Sequence, residues 1–226
     1  MKYLSQVYTA ASGSIGGVVY SHNKGGGYTR GRSVPSNPNT IYQQTVRNVL
    51  AQLAAAWLNS VSVAQRAAWE VFATNVPVVN ALGQQFNLSG QQWYLKANTG
   101  RVAAGKTRID AAPTDFALAS LSAVTVGAGA PDTASVGFVN TDAWAGAVGG
   151  HLLVYASRPQ SPTINYFKGP YRLMGIINGA VVLPTSPQAM TLPFPVASEG
   201  KIFFRAIATQ ADGRPSADFR FQSIAT

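Results

Sequence analysis

The chain has 226 residues, of which 46% are hydrophobic and only 11% are charged, with 22 glycines and 13 prolines. This hydrophobic share excludes a disordered chain, and the low charge is typical of a β-rich protein whose surface is polar but uncharged. The absence of cysteine excludes disulfides, thiolate metal sites and cysteine nucleophiles.

The net charge of +9 is concentrated in the first half of the chain. Residues 1–111 carry ten basic and two acidic side chains, whereas residues 112–226 carry seven basic and six acidic ones, and no acid occurs between Met1 and Trp69. The positive charges of residues 1–69 repel one another, because no acid in that segment offsets them. The segment is therefore either a device for solubility or, as we favour, a surface that contacts an anionic partner.

Residues 1–39 are predicted to form a glycine-rich basic arm or β-hairpin. Two strand-like runs, 18–20 and 28–34, are separated by Asn-Lys-Gly-Gly-Gly at 23–27. Loops of this length that contain glycine commonly connect antiparallel strands.

The candidate partner-binding residues lie in this arm. Side chains alternate between the two faces of a strand, so Tyr28, Arg30 and Arg32 are expected to share one face. Lys24 in the preceding loop adds a further cation. We predict that Lys24, Tyr28, Arg30 and Arg32 contact the partner.

Residues 40–111 are predicted to be a helical region, because one helix-start signal occurs three times. Thr40-x-x-Gln43, Ser62-x-x-Gln65 and Ser89-x-x-Gln92 all match the capping box, in which side chains bond the free N–H groups of the first turn. The third helix is expected to end near Gly105, a C′ glycine.

The first two helices are expected to form an antiparallel αα-hairpin, because only residues 59–61 separate them. Each has apolar side chains at helical spacing, which predicts a buried stripe. The predicted stripes are Val46, Leu50, Leu53 and Trp57 in the first helix, and Trp69, Phe72 and Val76 in the second.

Residues 112–226 change to the period of two that is typical of strands, after the boundary at Ala111-Ala112-Pro113. About seven short strands predict an antiparallel β-sandwich, and Asp212-Gly213 is expected to form the last turn. The strand candidates are 121–126, 135–140, 152–156, 172–176, 190–196, 202–206 and 219–222. The predicted fold class is therefore α+β, with an arm, a helical anchoring region and a sandwich.

The sequence Lys-Ile-Phe-Phe-Arg-Ala-Ile-Ala-Thr-Gln-Ala-Asp-Gly-Arg-Pro-Ser at 201–216 resembles the end of a fibronectin type III domain. It is similar to the penultimate strand, the turn and the entry to the final strand. Phe138 stands near the position of a tryptophan that is common in the second strand of that family. The resemblance implies an immunoglobulin-like sandwich over residues 112–226.

The first hundred residues resemble a family of proteins encoded by phages and prophages. The resemblance rests on five short motifs: Gly-Gly-Val-Val-Tyr-Ser at 16–21, Tyr28-Thr-Arg30, Val-Pro-x-Asn-Pro-x-Thr at 34–40, Gln65-Arg66-x-x-Trp69, and Leu88-Ser89-Gly90 leading into Trp93 and Asn98. That family has no defined activity. The resemblance therefore implies a part of a virion or of its assembly, but it implies no reaction.

The sequence shows little sign of catalysis. The histidines, His22 and His151, are far apart, and a zinc site needs three or four ligands, some of them at short spacing. Asp110 and Asp115 flank the predicted domain boundary, where solvation of a linker explains them better than acid–base catalysis. The glycine cluster lacks the phosphate-binding patterns. We therefore expect a non-enzyme with no catalytic, metal-binding or cofactor-binding residues.

The function that these observations favour is that of a phage virion structural protein. Within that class a head decoration or cement protein is the first choice, and a tail or head–tail component is the second. The competing class is a nucleic-acid-binding module that uses the basic arm.

The expected partners are other virion proteins of the capsid or tail, with a homo-oligomer and nucleic acid as alternatives. The first residues make a poor signal peptide, and no run approaches 18 apolar residues, so no membrane partner is expected. We expect the protein in the virion, after synthesis in the host cytoplasm.

Overall fold

The computed structural model describes residues 11–23, 26–34, 36–79 and 84–226, and the chain divides after Gln43 into two compact units. In the first unit, β1 (Gly13–Ile15), β2 (Val18–Asn23) and β3 (Gly26–Gly31) form an antiparallel sheet in the order β1-β2-β3. The predicted hairpin is present. A third strand, β1, extends the hairpin. Its three residues are too few to show an alternating pattern in the sequence.

Three helices follow, each opened by the predicted capping box. They are α1 (Ile41–Asn59), α2 (Val63–Asn75) and α3 (Gly90–Ala103). In each box the Ser or Thr hydroxyl accepts a bond from the backbone N–H of the Gln, and the Gln side chain accepts one from the cap residue. Gly105 ends α3 with a φ of +74°, as expected for a C′ glycine.

The short strands β4 (Val78–Val79) and β5 (Gln85–Phe86) pair between α2 and α3. The helices share a core rich in aromatic side chains, in which Trp69, Phe72, Trp93 and Tyr94 are almost completely buried. Rings meet edge to face in this core, with centroids 5.3 Å apart for Phe72 and Trp93.

The stripe predicted for α1 was wrong in part. Leu53 and Trp57 are buried as expected, but Leu50 is 41% exposed, and Val49 and Ala56 are buried instead. The buried face therefore overlaps the predicted one at Leu53 and Trp57 and is rotated towards Val49 and Ala56 by less than one residue.

Seven antiparallel strands form the remainder and correspond one to one to the predicted strands. Their bounds are β6 (Val124–Gly129), β7 (Thr133–Phe138), β8 (His151–Ser157), β9 (Tyr171–Asn178), β10 (Gln188–Thr191), β11 (Lys201–Thr209) and β12 (Phe219–Ile224). They make a three-stranded sheet in the order β10-β7-β6 and a four-stranded sheet in the order β12-β11-β8-β9.

The two sheets bury one common core, to which strands of both contribute, among them Val136, Leu152, Phe204 and the loop residue Trp144. This core is separate from the helical one: its buried members all lie within residues 124–225, and those of the helical core within 49–97. The protein is thus a mixed α+β structure with a high β content, as predicted.

Candidate functional site

Two of the four predicted partner-binding residues, Tyr28 and Arg30, lie on the sheet of the first unit. In β3, Tyr28 pairs with Ser21 and Arg30 pairs with Val19, so Tyr28 and Arg30 share a face through the alternation of the strand. Arg32 lies one residue beyond β3, and its backbone N–H donates a 2.8 Å bond to the carbonyl of Gly17. Lys24, the fourth predicted residue, lies outside the described residues.

The side chains of this sheet are exposed or half-buried wherever the structure describes them. Among the described residues between 11 and 43, no side chain is buried; Arg30 and Arg32 are exposed, and Ile15 is 77% exposed. Short strands without a buried face contribute little stability of their own. Because the sequence has no acid before Glu70, no carboxylate of residues 1–69 neutralises these arginines. Within the described residues, the sheet therefore combines two edge strands and positive charge with no buried side chain.

A second cluster of cations lies in the 44–226 unit, where the end of α3 meets the start of β8. Arg101 is 6% exposed, and its guanidinium donates bonds to the carbonyls of Thr107 at 3.3 Å and Gly149 at 3.1 Å. Its Nη1 also lies 3.2 Å from Nδ1 of His151. Within the described part of the chain, no acid forms an ion pair with Arg101.

Nδ1 of His151 has two neighbours that require opposite roles of it. Nη1 of Arg101, at 3.2 Å, can only donate a hydrogen bond, and the carbonyl oxygen of Gly149, at 3.3 Å, can only accept one, so the tautomer of the ring decides which bond forms. His151 is 1% exposed, and its Nε2 has no hydrogen-bond partner among the described residues. Burial, and then the charge of Arg101, lower the pKa of His151 from 6.5 to about 4.

This pKa predicts that the protein loses stability in mild acid. Below pH 6.5 the unfolded chain binds a proton at His151, whereas the folded chain does not until about pH 4. Stability therefore falls as the pH drops through this window, by about 3 kcal/mol at its lower end. We expect His151→Asn to show a shallower decline than the unmodified protein when urea unfolding is followed from pH 7 to pH 4.

The matched control is His22→Asn, which removes the exposed histidine and should leave the decline unchanged. Equal slopes for His151→Asn and the unmodified protein would contradict the assignment of His151 as a buried neutral side chain. The sequence analysis did not predict this role.

The two acids near the predicted domain boundary make specific bonds, whereas the sequence suggested only a solvated linker. Asp110 accepts bonds from the hydroxyl of Tyr94 at 3.1 Å and from Nε of Arg108 at 2.8 Å. Burial and the Asp110 carboxylate together raise the pKa of Tyr94 to about 12. Asp115 accepts from the backbone of Ala117 and pairs with Arg214. Both acids thus hold the connection between the helices and the sheets.

The described residues contain no group of three or more His, Cys, Asp or Glu side chains that could hold a metal ion. None of their helices has the length and apolar character needed to cross a membrane.

Comparison with known proteins gave no relative from which a role could be transferred. No protein-family profile matches the chain, and no curated protein or solved structure resembles it significantly. Function is therefore inferred from the N-terminal sheet, from the cations near Arg101 and from the strand topology.

Proposed function

We propose that this chain is a non-enzymatic phage virion structural protein that is anchored to the particle by its N-terminal sheet. A head decoration or cement protein is the first choice, and a tail or head–tail component is the second. The observation that carries the proposal is the exposed sheet of residues 13–31, which has no buried side chain among those described and no acid in its sequence.

A sheet without a buried face gains stability from a surface that covers it. β1 and β3 lie at the edges of the described sheet, and a neighbouring subunit can add a strand at such an edge. Arg30 and Arg32 can bond carboxylates on that neighbour in a bidentate manner. Anchoring by backbone pairing and arginine contacts requires no enclosed pocket and no catalytic group.

We further propose that residues 112–226 form an immunoglobulin-like sandwich of the fibronectin type III kind. The strand order supports this. If β6 to β12 are named A, B, C, C′, E, F and G in turn, the sheets read E-B-A and G-F-C-C′. Immunoglobulin-like domains likewise place C, F and G in one sheet and A, B and E in the other. The sandwich would be the part displayed outward on the particle.

The double substitution Arg30→Glu plus Arg32→Glu tests the anchoring proposal. Both side chains are exposed, so we expect the free energy of unfolding to change by no more than about 0.5 kcal/mol. Binding to assembled particles should fall by about tenfold or more, because two new negative charges would face an anionic surface. Co-sedimentation with particles measures this loss.

The matched control is Arg158→Glu plus Lys168→Glu, which makes the same change of net charge at exposed positions of the second unit. It should co-sediment normally. A gel-shift assay of both variants tests the nucleic-acid alternative, which expects the arm variant to lose a strongly salt-dependent affinity for DNA or RNA. If the arm variant binds particles as well as the control does, the sheet is not the anchor.

A further inference from the structure

A cavity of about 380 Å³ lies beside the Arg101–His151 contact. It is lined by Arg101, Lys106 and His151, together with Thr107 and residues 148–150 and 178–179. None of the described residues that line it is acidic. The cavity therefore gathers two cationic side chains and one neutral imidazole with no carboxylate among them.

The bonding of Arg101 leaves part of its guanidinium available. Its Nε and Nη1 make all three of its bonds, to Thr107, Gly149 and His151, and within the described chain Nη2 makes none. The backbone bonds hold the planar group in one orientation. A fixed guanidinium with an unused edge is suited to bind an oxyanion.

The charges at the cavity also favour the binding of an oxyanion. A buried cation without a counter-ion is costly, and arginine cannot relieve that cost by losing its proton. The carbonyls of Thr107 and Gly149 offset it only in part, and Lys106 adds a second positive charge at the same cavity. An anion in the cavity would neutralise both.

We propose that this cavity binds an oxyanion, a carboxylate or phosphate group, through Nη2 of Arg101 and the ammonium of Lys106. The site lies in the 44–226 unit and is independent of the proposed anchoring by the N-terminal sheet. The carboxylate could belong to a protein side chain and the phosphate to a small molecule, and separate probes distinguish the two.

The test uses the full-length protein and NMR of its two histidine rings. Inorganic phosphate and acetate are titrated separately at constant ionic strength, with sodium chloride as the balancing salt. We expect at least one of the two anions to shift the His151 ring resonances saturably and to raise the pKa of His151, because a bound negative charge stabilises the imidazolium. The His22 resonances should show no saturable shift.

Two variants make the test specific. Lys106→Gln should weaken the saturable binding by about tenfold, since it removes one of the two charges, without unfolding the protein. Lys168→Gln removes the same charge from an exposed position that does not line the cavity, and it should leave the affinity unchanged. A response to phosphate alone assigns a phosphate site, and a response to acetate alone assigns a carboxylate site.

Two results would overturn the proposal. One is a His151 resonance that neither anion shifts saturably. The other is equal weakening by Lys106→Gln and Lys168→Gln, which would show that the anions only screen the net positive charge of the protein.

Discussion

Replacing Gly179 with alanine should destabilise the 44–226 unit by about 3 kcal/mol. A Cβ at this position would collide with the carbonyl oxygen of Trp144 and lie 2.7 Å from that of Ala147. Both are backbone atoms, so no side chain can rotate away to make room. Two backbone hydrogen bonds also keep residue 179 close to this loop. The N–H of Gly179 donates to the carbonyl of Gly150, and the N–H of Ala180 donates to that of Ala145.

Gly127→Ala is the matched control for this effect. Gly127 lies in β6 of the neighbouring sheet, and a Cβ there would meet nothing within 4 Å. We expect it to change the free energy of unfolding by less than about 1 kcal/mol. Urea unfolding of both variants measures the difference. Equal stabilities of the two variants would contradict this prediction. They would show that the 142–150 loop can move away from residue 179 at little cost.

The elements of this protein were predictable from the sequence because their signals are local. A capping box needs only four consecutive residues, and all three boxes open helices at the expected positions. The seven strands likewise follow from alternation within six or so residues. The strand β1 escaped prediction because Gly13–Ile15 is too short to show a period.

The face of α1 that is buried could not be predicted in this way, because it depends on contacts with residues that are distant in sequence. Several faces of α1 contain apolar residues, and the face that is buried is the one that other helices cover. Trp57 packs against Tyr94 of α3, with ring centroids 5.3 Å apart. That contact accompanies the burial of Val49 and Ala56, while Leu50 remains exposed.

The two candidate sites differ in the same way: a local sequence pattern predicts part of the first and does not predict the second. Tyr28 and Arg30 could be placed on one face of β3 because strand alternation is a local rule. The Arg101–His151 contact joins residues 50 positions apart, and neither lies in a motif. The one weak signal was an arginine in the last turn of α3, where a cation is common at a helix C-terminus.

Residues 112–226, expressed alone, should unfold cooperatively but should not bind particles. The buried members of the sheet core all come from residues 124–225, so the fragment keeps a complete hydrophobic core. It loses Arg101, however, and with it the bond to the carbonyl of Gly149 and the cover of His151. We expect this loss to lower its stability by about 1 to 3 kcal/mol relative to the same sheets in the full chain.

The full-length variant Arg101→Gln separates these contributions, because it removes the guanidinium and keeps the helices. If the fragment and this variant lose similar stability, the arginine contact is the main coupling between the helical region and the sheets. A fragment that shows no cooperative transition by circular dichroism and fluorescence would contradict independent folding. In that case the two hydrophobic cores would be parts of one cooperative unit, joined through Asp110, Arg101 and His151.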